Sequence, residues 1–426
     1  MMSTQPVEIR GGAVPGGWPA GRRAPLRWRT SAGDPGYLLG RSSCALAIFA
    51  ALLASTTPSP LYPVYIRQLG LDQSAGTTIF SIYAVGTLLA LFLSPRLDRR
   101  VSDRRQTLLP ALLVTAAGAV IFALADSMWM LMLGRLLSGL STGMITSTAS
   151  AALFDLDTPE KRGRAATVST VAFTGGAAFG PCLASAALAA GVAPLVTPFA
   201  CIALVAAIAF VGLACAAWPK RAAPVPAPAI GAAAAPASAR QGLRLFRLAC
   251  LSVGVAWMLG SMLMALGVSV ATDLFGLQVQ ALAGLMPALF QLSGGIGQVL
   301  ASRFRALDAI LFGTLGLALL QILAALGALA GVPLVFVLAM PLCGLCYGAA
   351  FVGGAALVNE TAPPGQHAAR ISRFYVVGYL ANAIPTFLLG FLIDGIGLGP
   401  AFYVFSAVLS TVAFLAAGIA RSRRRG

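Results

Sequence analysis

The stretch TGGAAFGPCLASAAL, Thr174 to Leu188, carries a Gly pair, a Gly-Pro step and no charge inside a longer apolar run. Proline in a helix interior removes one backbone hydrogen bond and crowds the preceding turn, at roughly 3 kcal/mol in water. In a bilayer the same step is tolerated, because neighbouring groups and local adjustments satisfy the freed carbonyl. Small residues there let helix backbones approach closely. The solvent around this stretch therefore decides the fold, and the rest of the chain identifies it.

Over 426 residues the chain is 58% hydrophobic and 10% charged, with a mean hydropathy of +0.86. Soluble domains carry about 25% charged residues, so a chain this apolar cannot cover its surface in water. It reads as an integral membrane protein. A spanning helix needs ~20 mostly apolar residues, and twelve such segments fall near 43–66, 75–94, 107–125, 128–150, 165–188, 196–218, 247–271, 280–300, 308–329, 332–357, 371–393 and 399–419. A transmembrane β-barrel would show ~10-residue alternating segments instead.

The net charge of +16 is distributed as a topology signal, since cytoplasmic loops collect Lys and Arg. With the N-terminus inside, the inner side holds RLDRRVSDRR (Arg96 to Arg105), EKRGR (Glu160 to Arg164), SRFR (Ser302 to Arg305), Arg370, Arg373 and RSRRR (Arg421 to Arg425). The outer side holds Arg67, and Arg135 falls within a segment. The expectation is a multi-pass protein of the cell (inner) membrane with both termini cytoplasmic and no nucleic-acid partner. The seven cysteines all fall in or beside apolar segments and suit packing rather than a disulfide framework. No apolar core that could form a signal peptide precedes Ser42.

Two halves are expected. Residues 1–42, rich in Gly, Pro and Arg, read as a disordered cytoplasmic N-terminus. Six segments occupy 43–218 and six occupy 247–420, joined by a flexible cytoplasmic linker over 219–246 that begins PKRAAPVPAPAIGAAAAPASARQG; 421–426 is a basic cytoplasmic tail. The halves also repeat: Pro159 falls on Pro363 (363 − 159 = 204) and Pro181 on Pro385 (385 − 181 = 204). Parallel six-helix repeats place a substrate path at their interface near the membrane midplane.

Two six-segment halves, a charged loop after the second segment and a Gly-Pro step in the fifth resemble the major facilitator superfamily, over roughly residues 43–420. The resemblance implies an all-α membrane protein, with twelve transmembrane helices in two six-helix pseudo-repeats. SPRLDRRVSDRRQ (Ser94 to Gln106) is similar to the family's loop between helices 2 and 3, although the loop's glycines are absent and the spacing slips. Asp98, Arg99, Arg104 and Arg105 are its counterparts there. The resemblance implies that Asp98 meets the start of the eleventh helix, where a helix N-terminus attracts a carboxylate. It also implies that an arginine of the loop pairs with Asp155. MLGRLLSGLSTG (Met132 to Gly143) resembles the helix-4 arginine motif of the family's drug/proton antiporters, with Arg135 and Gly139 in register. Gly176, Gly180 and Pro181 give G-x-x-x-G-P, similar to the antiporters' helix-5 motif. LSGGIGQ (Leu292 to Gln298) supplies a comparable surface on the eighth segment, and in the family these two helices pack across the halves. Asp98, Arg99, Arg135, Asp155, Gly176, Gly180 and Pro181 are thus the expected coupling and gating residues.

The cavity implied by the family is lined from segments 1, 4, 7 and 10, with the eleventh contributing. Its candidate residues are Thr56, Thr57, Tyr62, Tyr65, Ser138, Thr142, Trp257, Ser261, Tyr347, Tyr379 and Asn382. Small and aromatic groups with few charges suit a neutral or amphipathic organic molecule, not a sugar phosphate. None of the thirteen acids sits at the centre of a segment. Proton coupling, which uses a titratable group in the membrane, then falls to boundary acids such as Asp155 or Asp394, or the protein is a uniporter. The expected activity is secondary active transport of a small organic solute by alternating access, as efflux of a drug or metabolite by a monomer in the lipid bilayer. Its substrate is a small molecule, with protons as a candidate coupling ion and no cofactor, metal or enzymatic chemistry. The alternative is import of a small nutrient or cofactor by the same fold. Cu(I) import is a variant of it, drawn from Met258, Met262 and Met264 with Cys343 and Cys346, because soft sulfur ligands select Cu(I).

Overall fold

The computed structural model describes residues 35–98, 101, 103–156, 162–218, 236–362 and 366–424, which hold helices and no strand. The first half comprises α1 (Pro35–Thr56), a 3-10 turn (Ser59–Leu61), α2 (Tyr62–Leu69), α3 (Gln73–Asp98), α4 (Arg105–Ala123), α5 (Met128–Leu156), α6 (Arg162–Ala190) and α7 (Thr197–Cys215). The second comprises α8 (Pro236–Ser269), which closes in a π-helical turn (Val270–Leu274), then α9 (Gln280–Ala301), α10 (Ala306–Leu329), α11 (Pro333–Thr361), α12 (His367–Ile396) and α13 (Leu398–Arg424). Taking α1 through α2 as one broken span, these make twelve. By length and composition, 11 spans among the described residues are apolar enough to cross a membrane. The remaining one, α9, carries Gln291, Ser293, Gln298 and four glycines along its length.

Prolines cause the break in the first span. Pro58, Pro60 and Pro63 carry no N–H, so the α-helical ladder cannot run through them. The last bond of α1 is Thr57 N to Leu53 O at 3.0 Å, and the chain re-enters helix with Leu61 and Tyr62 both donating to Pro58 O. Gly70, in the left-handed region at φ 61°, ends α2 and donates to Ile66 O. By contrast Pro181 lies inside an unbroken α6.

Several helices run beyond their apolar cores, and α1, α8 and α13 do so into stretches expected to lie outside the bundles. α1 begins at Pro35, ahead of the expected start at 43, and Arg41 donates to Leu156 O at 3.0 and 3.1 Å. That bond ties the beginning of α1 to the end of α5, so residues 35–42 are helical rather than disordered. α8 takes in Pro236–Phe246 from the expected linker, its Ala, Arg and Leu residues being good helix formers. α13 continues to Arg424, which pairs with Asp308 at 2.9 Å. Residues 1–34 and 219–235 lie outside the described part.

An even number of spans puts the ends of both halves on one face, here called the termini face; the opposite face is distal. Within the halves α5 packs on α1, α3 and α4, and α11 packs on α8, α9 and α10. Between the halves α3 packs on α12 and α6 on α9. Large apolar side chains such as Phe92, Phe179, Leu204, Phe312, Leu338 and Phe391 point outward. Contiguous apolar cover of this kind is untenable in water and natural against lipid.

Candidate functional site

Arg135 is caged within the first half, by residues of α1, α2 and α3. It lies near the distal end of α5 and is 1% exposed. A close crossing of α3 and α5 sets its surroundings. A Cβ on Gly86 would lie 2.7 Å from Leu140 N, and one on Gly139 would lie 3.2 Å from Thr87 N. Glycine at both positions brings the two backbones together, and Phe80 and Tyr83 come to rest against the guanidinium. Its carbon sits 4.9 Å from the Tyr83 ring centre, 5.2 Å from Phe80 and 5.8 Å from Tyr62. Nη1 donates to Ser55 O at 2.6 Å. That carbonyl is available because the ladder fails at the prolines that break the first span.

The magnitudes explain how the charge is tolerated. A mid-membrane arginine costs at least ~2.5–3.5 kcal/mol. Each desolvated cation–π contact returns roughly 0.5–2 kcal/mol, and a hydrogen bond from a charged donor about 1.5–3 kcal/mol. The cage offsets the burial, but every partner in it is neutral. Nε and the Ser138 hydroxyl are buried with no hydrogen-bond partner among the described residues, and the buried Tyr62 hydroxyl has only the Arg135 guanidinium beside it, which leaves its own O–H without an acceptor.

The second half holds an aromatic cluster of its own. Trp257 of α8 meets Tyr379 of α12 edge-on at 4.8 Å, stacks on Phe351 of α11 at 5.9 Å and tilts on Tyr375 at 6.3 Å. A Cβ on Gly378 would lie 3.0 Å from Trp257 Cε3, so the glycine seats the indole. Tyr347 packs on Phe290 at 5.0 Å. α3, which carries Tyr83, packs on α12, which carries Tyr379, so the arginine cage and the Trp257–Tyr379 cluster stand on neighbouring helices of the two halves. The indole Nε1 is buried without a partner among the described residues.

The expected cavity residues separate into two groups. Tyr62 belongs to the arginine cage, and Trp257 and Tyr379 to the second-half cluster, with Tyr347 packed on Phe290; Ser138 is buried on α5 one turn after Arg135, and Asn382 is half-buried on α12. The hydroxyls of the others are engaged by backbone carbonyls. Thr56 donates to Leu52 O and Thr57 to Leu53 O. Thr142 donates to Ser138 O and to Ala51 O of α1, and Ser261 to Met258 O while accepting from Thr386. Tyr65 donates to Phe122 O and turns into the first half's own packing. On α8, Met262 and Met264 are buried, and Ser59 donates to Met264 Sδ at 3.7 Å.

At the helix-5 motif the geometry differs from the sequence expectation. A Cβ on Gly180 would lie 2.8 Å from Thr57 N and 3.0 Å from Leu53 O, and one on Gly176 would be 2.9 Å from Leu52 Cβ. Both glycines therefore admit α1 of the same half, not α9. In the seam with the second half the roles are exchanged: Gly295 and Gly284 of α9 receive Thr174 and Ser185 of α6. Gly294 and Gly297 admit Tyr347 and Leu345 of α11.

At the termini face Arg104 Nε meets Asp155 Oδ2 at 2.7 Å. Arg105 pairs with Asp103 at 2.7 Å and donates to Ala216 O. Asp98 is the last residue of α3; its side chain, like Arg99, lies outside the described part. At the distal face the Asp394 carboxylate accepts from Gln73 N at 3.0 Å and Ser74 N at 3.1 Å. It thereby caps the N-terminus of α3 from the other half. Ser81 donates to Ala383 O nearby at 3.1 Å.

Sequence reasoning missed Phe80, Tyr83, Thr174 and this role of Asp394. Its signal for Asp394 was position alone, an acid at the end of the eleventh segment. For Tyr83 there was none, because only the Gly86–Gly139 crossing brings it to Arg135.

A family model described as Major Facilitator Superfamily matches residues 44–320. An uncharacterized MFS-type transporter, YwfA of Bacillus subtilis (strain 168), is 34% identical over 118 residues, 28% of each chain. The facilitated glucose transporter member 8 of Bos taurus is 33% identical over 153 residues, 35% of this chain and 29% of that protein. The match thus spans less than a third of either relative. Among solved structures, a bacterial homologue of the human lysosomal transporter Spinster, inward-facing and unoccupied, superposes with a TM-score of 0.74 at 15% identity. That alignment covers 91% of this chain and 98% of the other. The nucleoside transporter NupG gives 0.69 at 13% identity over 89% of this chain and 99% of its own.

Proposed function

The chain belongs to the major facilitator superfamily, and from that premise we propose that it exports a small amphipathic organic solute by alternating access. One observation carries the reading: a caged arginine in the first half and an aromatic cluster in the second stand on either side of the α3–α12 seam, along which the halves of a rocking carrier part. Tyr62, Ser138, Trp257, Tyr347, Tyr379 and Asn382 contact the solute. Thr56, Thr57, Tyr65, Thr142 and Ser261 hold the walls that carry them.

The bundles 43–218 and 247–420 move against each other, tethered by 219–246, in a monomer of the inner membrane. The basic termini face is cytoplasmic, in keeping with the positive-inside rule. Asp394, Ser81 and the Gly284 contact close the distal side while cargo loads from the cytoplasm, with Gly295 against Thr174 further along the same seam. Asp98, Arg99 and the Arg104–Asp155 pair latch the termini face in the other half of the cycle. Gly176, Gly180 and Pro181 let α6 follow α1 as one body. Protons, where they contribute, act through Asp155 and Asp394, the acids engaged at the two faces.

Uptake and efflux of a small compound panel in everted vesicles, with and without a proton gradient, test the reading. Accumulation of a panel compound above that in vesicles lacking the protein is the expected result; absence of any net movement overturns it. A second reading, uptake of a neutral polyol, is favoured by the names of two partly matching relatives, the glucose transporter and a proton myo-inositol cotransporter of Homo sapiens. Accumulation in right-side-out vesicles instead of everted ones would select it.

A further inference from the structure

We propose that Arg135 takes its counter-charge from the cargo, so that the site selects organic solutes bearing a single carboxylate. The inference rests on the transporter reading above and names the substrate class of the same site. All thirteen acids of the chain are known from its sequence. Asp72, Asp126, Asp273 and Asp394 lie at distal ends of spans or in distal connections, and Asp98, Asp103, Asp155, Asp308 and Glu360 lie at the termini face; Glu8, Asp34, Asp157 and Glu160 lie outside the described part. Among the described residues no carboxylate pairs with the Arg135 guanidinium. Its described partners, one carbonyl and three rings, are neutral.

The unsatisfied groups indicate what is missing. Arg135 Nε and Trp257 Nε1 are donors and nothing else; the Tyr62 and Ser138 hydroxyls can both donate. At the cage itself a buried guanidinium Nε and a tyrosine hydroxyl still able to donate match an acceptor-only group, and a carboxylate offers about four lone-pair sites. One arginine matches one negative charge; a phosphate dianion would leave the second uncompensated. Trp257, Tyr347 and Tyr379 supply an aromatic wall for the body of the solute.

This assignment also accounts for the lack of an acid at the centre of any span. A carried monoanion makes each cycle move net charge, so an inside-negative membrane potential drives the solute outward with no proton site in the membrane.

The test uses the purified full chain in nanodiscs at fixed ionic strength, with benzoate, its neutral isostere benzamide and cationic benzylamine as probes. Thermal unfolding read against probe concentration should give benzoate an affinity at least tenfold above benzamide, with no benzylamine binding. Arg135→Gln should abolish that preference, and Arg135→Lys should retain part of it. Equal affinity for benzoate and benzamide, binding of neither, or a preference that survives Arg135→Gln overturns the proposal. Should Arg135→Gln fail to insert, wild-type proteoliposomes loaded with hippurate keep it testable. A potassium–valinomycin potential should speed hippurate toward the positive side, and indifference to the sign of the potential refutes the charged cargo. Failure of the transporter reading would look different, as no flux of any panel compound whatever its charge.

Discussion

Replacing Asp394 by Asn should loosen the distal contact between the halves by a calculable amount. The carboxylate accepts two backbone N–H groups, at 3.0 and 3.1 Å, from the first turn of α3, where no intrahelical acceptor exists. A hydrogen bond to a charged group contributes about 1.5–3 kcal/mol against about 0.5–1.5 for a neutral one. The helix N-terminus adds roughly 0.3–1 kcal/mol for the charge. Asparagine keeps one acceptor oxygen but turns an amide donor toward the second N–H, so one bond is lost and the other weakened. Asp394 is exposed, and solvent screening lowers the total, leaving about 1–2 kcal/mol. Since 1.4 kcal/mol is tenfold in an equilibrium, the distally open state should gain roughly 5- to 30-fold in population. Hydrogen–deuterium exchange of the purified variant reads this directly. The amides opening α3 and those closing α12 should exchange faster by that factor, with the buried middle of α5 unaffected. Protection at the start of α3 equal to that of the wild type would show that the carboxylate contributes nothing to closure.

Gly180→Leu should abolish transport while the protein still inserts, since the side chain would collide with Thr57 N and Leu53 O of α1 and overpacking of this kind costs about 1–3 kcal/mol; wild-type flux in vesicles would contradict it. Asp155→Asn should lower the thermal unfolding midpoint by removing the partner of Arg104, which is 6% exposed; an unchanged midpoint would mean that the remaining contacts of Arg104 suffice. Gly139→Val should separate α3 from α5 and move Tyr83 off the guanidinium, so the variant should bind benzoate less tightly even though Arg135 is intact. Wild-type affinity in that variant would detach the cage from the site.

Much of the architecture is legible in one dimension because the bilayer imposes a local rule. Each span must satisfy its own backbone and be apolar over ~20 residues, so length and hydropathy locate it wherever it packs. That rule picked out twelve segments, but it returned the first as one span over 43–66, and the break at STTPSPLYP emerged only in the structure, where Pro58, Pro60 and Pro63 interrupt the ladder. It also marked Arg135 as anomalous, because a cation among apolar residues is costly regardless of context. The rule is weakest at span ends, where apolarity fades but helix continues, and Pro35, Pro236 and Arg424 all lie beyond the limits read from hydropathy.

What surrounds Arg135 was decided only by the tertiary structure. Which face of a helix meets which neighbour depends on where glycines let backbones cross, and glycine is common throughout membrane helices. The motif glycines of α6 turned out to admit α1, while glycines of α9 receive α6. Asp394 and the start of α3, more than three hundred residues apart, meet only once both halves are built. Composition and hydropathy report the solvent of each residue; the partners of a buried charge are set by packing between helices distant in sequence.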